Sequence, residues 1–288
     1  MKSWKMLIKM IIFANIHYGF LNENKMTRKS SIDVKKVTIL IVKWLKDYAQ
    51  QSNVKGFVIG ISGGVDSAVT SALCAKTGYP VLCVEMPIHQ AQNQISRGKE
   101  HIDGLKNSFK NVTSIESNLT ALYDVFVATV QKSTDDTKYN LSLANTRARL
   151  RMTTLYYYAG VNNFLVVGTG NKVEDFGVGF YTKYGDGGVD LSPIADLMKS
   201  DVYALGAYLK IPDSILVAAP TDGLFGDSRT DEDQLGASYD ELEWAMSELN
   251  KTKPQENYSE REKTVLNIYK TLNANNNHKM IAIPVCKI

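Results

Sequence analysis

Apolar residues along this 288-residue chain fall into two rhythms. Between Ile32 and Gln50, Val37, Ile39, Leu40, Ile41, Val42, Trp44 and Leu45 make a broad stripe of helical period, which predicts a helix ahead of the first strand. Four short runs then follow: FVIGI at 57–61, VLCVEM at 81–86, VTSIE at 112–116 and FLVVG at 164–168. Each is continuously apolar and rich in β-branched residues, the pattern of strands covered on both faces. Helical segments separate them. After the first run Val65, Val69, Ala72 and Leu73 recur at helical spacing, with Gly78 offering a stop before Pro80. A long helix is predicted over 141–159, carrying Arg147, Arg149 and Arg151, of which one can point at a ligand while the others stay in water. SYDE at 238–241 and SERE at 259–262 match the capping box that opens a helix, whereas NANNN at 273–277 reads as a loop. The alternation predicts an α/β fold of three layers, a parallel sheet with helices on both faces. The helical C-terminal third is expected to pack on that sheet as part of one domain.

Composition narrows the function. With 44% hydrophobic and 22% charged residues the chain is an ordinary globular one. Its net charge of +3 is concentrated at the start, where the first 36 residues carry eight Lys or Arg against Glu23 and Asp33. The remainder holds 25 basic and 28 acidic residues, so no basic face is expected and no nucleic-acid partner. Cys74, Cys83 and Cys286 are too scattered for a disulfide framework or a zinc site, and His17, His89, His101 and His278 are equally dispersed. A reducing cytoplasm fits this usage. The opening MKSWKMLIKMIIFANIHYGF is basic and apolar, but Lys9 breaks it well short of the ~20 apolar residues a membrane span needs. Residues 1–25 are expected to be a disordered extension and 26–288 the single domain, with no membrane association.

The candidate chemistry lies where the first strand ends, at Ser62-Gly63-Gly64-Val65-Asp66-Ser67. A glycine turn running into a helix gathers backbone N–H groups at the positive end of the helix dipole, so its natural occupant is an anion. No lysine stands where a Walker loop requires one, and the spacing of a dinucleotide fingerprint is missing. Asp66 beside a polyphosphate would be repelled unless a divalent cation lay between them.

SGGVDS resembles the pyrophosphate-binding loop of the N-type ATP pyrophosphatases, the PP-loop group with an adenine nucleotide alpha-hydrolase-like, Rossmann-like fold. Within that group, residues 166–212, ARLRM at 148–152, APT at 219–221, TDEDQLG at 230–236 and His278-Lys279 are similar to the ammonia-dependent NAD synthetases. That resemblance spans roughly residues 32 to 280 and implies ATP-dependent amidation of deamido-NAD with ammonia, Mg²⁺ as cofactor and a homodimer. The alternative within the group is another PP-loop enzyme, such as a tRNA-modifying one. The family match assigns ATP to Gly60, Ile61, Ser62, Gly63, Gly64, Val65, Asp66, Ser67, Thr169, Lys199 and Thr221, and the metal to Asp66 and Glu174. It assigns deamido-NAD to Arg149, Lys183, Asp190, His278 and Lys279. Asp66 and Lys199 are the expected catalytic groups, Lys199 neutralising charge on departing pyrophosphate. Asp186 is added as a carboxylate that could hold ammonium or accept its proton, although a turn-forming role suits it better.

Overall fold

A computed structural model describes residues 30–221, 223–224, 230–251 and 257–288; the expected extension at 1–25 lies outside the described residues. The chain enters through helix α1 (Val34–Gln51), started by Asp33, whose carboxylate accepts from the Lys36 amide at 3.0 Å. β1 (Gly56–Gly60), α2 (Val65–Ala75), β2 (Val81–Glu85), α3 (Gln92–Ser108) and β3 (Val112–Glu116) follow as β-α-β units. Next come α4 (Thr120–Thr129), α5 (Asp136–Asn162) and β4 (Phe164–Val166). The strands pair in parallel in the order β3-β2-β1-β4, with Phe57 level with Val81 on one side and Leu165 on the other. Because β4 returns to the far side of β1, the chain reverses direction across the sheet at β1. A crevice opens there, at the carboxyl ends of β1 and β4.

Period-two alternation sorts the strand residues between two cores. Phe57, Ile59 and Ile61 pack with Leu45 of α1, Val69 and Leu73 of α2 and Ile102 of α3. Val58, Val84 and Val166 pack on the opposite face with Tyr123 of α4 and Ala159 of α5. The three-layer arrangement follows, because continuous apolar runs leave neither face fit for water. The stripe on α1 is broader than its buried face: Ile41 and Leu45 are inside, while Ile39 and Leu40 are 61% and 63% exposed.

After β4 the chain forms a π-helical turn (Val173–Val178), then α6 (Lys199–Tyr208), α7 (Asp213–Leu216), α8 (Asp231–Leu235), α9 (Tyr239–Leu249) and α10 (Glu260–Met280). Both predicted capping boxes are present, with Ser238 and Ser259 as N-caps. Two expectations need correction. The C-terminal third builds a core of its own from Val173, Val178, Leu242, Val265 and Tyr269, and its main contacts are with the π-helical turn and α6 rather than with the sheet. NANNN at 273–277 lies inside α10 and is helical. The Asn273 and Asn276 side chains donate to the carbonyls of Gly177 and Val178 at 2.7 and 2.8 Å, so a tertiary clamp outweighs their poor helix propensity. Among the described residues no helix is long and apolar enough to cross a membrane.

Candidate active site

The turn between β1 and α2 is shaped by its own side chains and by α3. Gly63 has φ +82°, and a Cβ there would sit 2.4 Å from the Gln94 carbonyl oxygen, so only glycine fits both the dihedral and the space. Arg97 reaches back to donate to the Gly63 carbonyl at 3.2 Å. The Ser62 hydroxyl accepts from the Gly64 amide at 3.2 Å, and Ser67 donates to the Gly64 carbonyl at 3.0 Å. The serines therefore hold the turn together. Gly64 caps α2 without a side-chain hydrogen bond, which leaves the first-turn amides and the helix dipole to a bound anion. Gly60-Ile61-Ser62-Gly63-Gly64 also has the spacing of a nucleophile elbow, but among the described residues no histidine lines the cavity around it.

Three charged groups meet beside the turn. Asp66 comes from the first turn of α2, Glu174 from the π-helical turn and Lys199 from the first position of α6. Lys199 Nζ lies 2.6 Å from Asp66 Oδ2 and 3.2 Å from Glu174 Oε1, with the lysine only 3% exposed. Burial works against its charge, but the carboxylates of Asp66 and Glu174 outweigh burial and hold its pKa well above the lysine range. Asn171 links the two acids: its Nδ2 donates to Asp66 Oδ1 at 3.2 Å, and its Oδ1 accepts from the amides of Val173 and Glu174. Tyr239, at the start of α9, donates its hydroxyl to Glu174 Oε1 at 2.6 Å and lies 3.3 Å from Asp231 Oδ2. Its ring centroid is 4.5 Å from Lys199 Nζ. Fully buried Glu243 accepts from the Ser200 amide and hydroxyl at 2.8 and 2.7 Å, which caps the helix that carries Lys199. Loss of solvent around Asp175, then the negative charges of Glu174, Asp186 and Asp66, push that carboxyl up to about 8.

Of these groups Asp66, Glu174, Asp175, Lys199 and Asp231 line a cavity of about 280 Å³ in the crevice at β1 and β4, and Asn171, Tyr239 and Glu243 stand behind them. Every residue from Gly60 to Ser67 lines it, as do Thr169, Glu174, Asp186, Lys199 and Thr221. Asp186 is exposed and accepts from the Thr182 amide at 2.9 Å, a turn-forming bond, while still reaching the cavity. The residues matched to the dinucleotide lie elsewhere. Arg149 donates to the Lys183 carbonyl at 3.3 Å and Lys183 to the His278 carbonyl at 2.6 Å. Lys279 donates to the carbonyls of Gly179 and Tyr181, both at 2.9 Å. Asp190 accepts from the Tyr156 hydroxyl at 3.0 Å and the Val166 amide at 2.8 Å. Of the three arginines on α5 it is Arg151 that lines the cavity, bound to the Met86 carbonyl and to Gln90, and Arg147 is stacked on Tyr123 rather than left in water. Helical spacing sets Arg149 on a different face from Arg147 and Arg151, which are four residues apart, without saying which face looks into the crevice.

The donor set suits a small divalent cation. Asp66 and Glu174 flank one ammonium position, so a positive charge is already held between two hard oxygen ligands. Among the described residues no group of three or more His, Cys, Asp or Glu could hold a metal. A pair of carboxylates is the protein share that Mg²⁺ takes when phosphate oxygens and water complete its shell.

A parallel sheet with an anion loop at its switch point and paired acids beside a lysine defines the class as that of the PP-loop ATP pyrophosphatases. The family model for NAD synthase matches residues 37–282, and the chain belongs to that family. It is 38% identical over 205 residues to the NH(3)-dependent NAD(+) synthetase of Carboxydothermus hydrogenoformans, covering 70% of this chain and 81% of the relative. A solved NH3-dependent NAD synthetase from Campylobacter jejuni, in complex with nitrate, matches with TM-score 0.67 and 26% identity over 89% of this chain and all of the other. NMN synthetase from Francisella tularensis matches with TM-score 0.79 and 32% identity over 90% of this chain and all of the other.

Proposed function

We propose that the protein amidates the nicotinate carboxylate of deamido-NAD with free ammonia, converting ATP to AMP and pyrophosphate and releasing NAD. The observation that carries this reading is the Lys199 ammonium held by Asp66 and Glu174 beside the SGGVDS turn, a site prepared for polyphosphate and cation. The nicotinate carboxylate attacks the α-phosphorus of ATP, pyrophosphate leaves, and ammonia then attacks the acyl adenylate and expels AMP. Asp66 and Glu174 would hold Mg²⁺, which supplies charge neutralisation at the phosphates. The turn amides bind the pyrophosphate end, and Lys199 offsets the negative charge that develops on it. Asp186 at the cavity rim is proposed to receive ammonium, and the Arg149, Lys183, Asp190, His278 and Lys279 region the rest of the dinucleotide. No protein nucleophile is required.

Two attributes accompany this reading. The reaction is proposed to take place in the cytoplasm. The chain is proposed to act as a homodimer, supported by the exposed apolar side chains of Leu122 and Val125 on α4 and Tyr157 and Val161 on α5, which a second copy would cover.

A second reading keeps the chemistry and shortens the substrate. The match to an NMN synthetase favours nicotinate mononucleotide as the carboxylate donor. One assay separates them: ATP, Mg²⁺ and ammonium are supplied with either deamido-NAD or nicotinate mononucleotide, and AMP and the amide are quantified. Preference for deamido-NAD supports the first reading and preference for the mononucleotide the second. Formation of ADP, or of no amide from either, overturns both.

A further inference from the structure

We propose that Tyr239 is a positioning residue of the adenylation site: its hydroxyl orients the Glu174 carboxylate for a divalent cation, and its ring face seats the Lys199 ammonium when that cation displaces it. The inference rests on the reading of the cavity as the site of ATP and Mg²⁺. Tyr239 is 5% exposed, and its place at the start of α9 is fixed by the Ser238 cap and by its own amide, which donates to Glu232 at 3.0 Å. The hydroxyl meets one oxygen of Glu174, the same Oε1 that Lys199 touches. One carboxylate edge is thus held by a neutral donor that persists when the lysine moves away. Lys199 cannot remain between Asp66 and Glu174 once a second cation enters, because two positive charges would share one pair of acids. At 4.5 Å its ammonium is already within cation–π reach of the Tyr239 ring, which offers a favourable surface toward the developing pyrophosphate charge. A plain packing role is the competing account, since Tyr239 also belongs to the core formed with Val173, Leu242 and Val265.

Tyr239→Phe and Tyr239→Leu separate the two accounts. Mn²⁺ is titrated into each protein with a non-hydrolysable ATP analogue, and free Mn²⁺ is read by electron paramagnetic resonance, alongside kcat at saturating Mg²⁺ and Tm. Tyr239→Phe keeps the ring and should weaken Mn²⁺ binding about 10-fold, the usual effect of losing a partner that orients a ligating carboxylate, with kcat within about 3-fold. Tyr239→Leu should show the same weakening and lose about 30-fold in kcat as well, because Lys199 has lost its aromatic seat. Unchanged Mn²⁺ binding by the Phe variant, or a Leu variant that loses only Tm, overturns the proposal. Wild-type protein that binds no Mn²⁺ with the analogue overturns the reading of the cavity itself, and the inference with it.

Discussion

Replacing Lys199 with methionine keeps the length of the side chain and deletes its charge. Asp66 and Glu174, whose side chains are 17% and 16% exposed, would then face one another across an uncompensated site. Removing one partner from a buried ion pair costs about 3–5 kcal/mol. Each carboxylate keeps some solvent and one neutral donor, Asn171 for Asp66 and Tyr239 for Glu174, so the lower end applies, about 3 kcal/mol. At about 2–3 °C per kcal/mol for a chain of this size, Tm should fall by about 6–9 °C. The sign of any pH effect is fixed by the raised pKa of Lys199 in the folded protein. A raised basic group contributes its full stability below its unfolded pKa, so the whole difference is present at neutral pH and fades only at strongly alkaline pH. Millimolar Mg²⁺ without nucleotide should restore part of the loss in the variant and change wild type little, since the metal supplies the missing charge. Differential scanning calorimetry with and without Mg²⁺ reads both effects. A variant within about 1 °C of wild type, or a deficit that Mg²⁺ leaves untouched, would show that Lys199 is not the counter-ion of this pair.

Three further perturbations test other parts of the site and the core behind it. Asp66→Asn should lower ATP–pyrophosphate exchange by about 10²–10³-fold, and exchange at the wild-type rate would remove Asp66 from the metal-binding role. Gly63→Ala forces a side chain into a left-handed backbone and against the Gln94 carbonyl, so it should destabilise by about 1–2 kcal/mol and raise KM for ATP at least about 10-fold; an unchanged KM would mean the turn does not contact the nucleotide. Burial pushes buried His101, bonded to Ser71 at 2.8 Å, down to a pKa of about 4. The folded protein thus keeps it neutral while the unfolded chain protonates near 6.5, so stability is lost as pH falls from there toward 4 and levels off below. Between pH 7 and 5 this amounts to about 2 kcal/mol, which His101→Gln should abolish. Parallel Tm-against-pH curves for wild type and variant would contradict that account.

The strands and the loop were legible because their signals are local: four continuous β-branched runs, and a glycine pair with an acid at the end of the first. The groups that hold the site together were not. Tyr239 follows the Ser238 cap and in sequence is only the opening of a helix; that its hydroxyl meets Glu174 depends on how α9 docks on the π-helical turn. Asn171 carries no signal beyond a polar loop residue, yet it ties the two acids to one backbone. Asn273 and Asn276 misled in the other direction, since their partners are carbonyls nearly a hundred residues away. Arg151 and Arg149 have the same local pattern, and only the crevice distinguishes them.

The order of strands also sets a timetable for synthesis. Lys199 and Asp66 are 133 residues apart, and the π-helical turn that bears Glu174 follows β4, the strand that docks on the open side of β1. A ribosome delivers the glycine turn early, with β2 and β3 beside it, but the second acid and the lysine emerge much later. If the turn binds polyphosphate as proposed, a nascent chain in that interval would have the turn without the acid and the lysine that complete the site. On that reading the ability to consume ATP would arise only once this long-range pairing is complete, and a truncated or stalled chain would spend none.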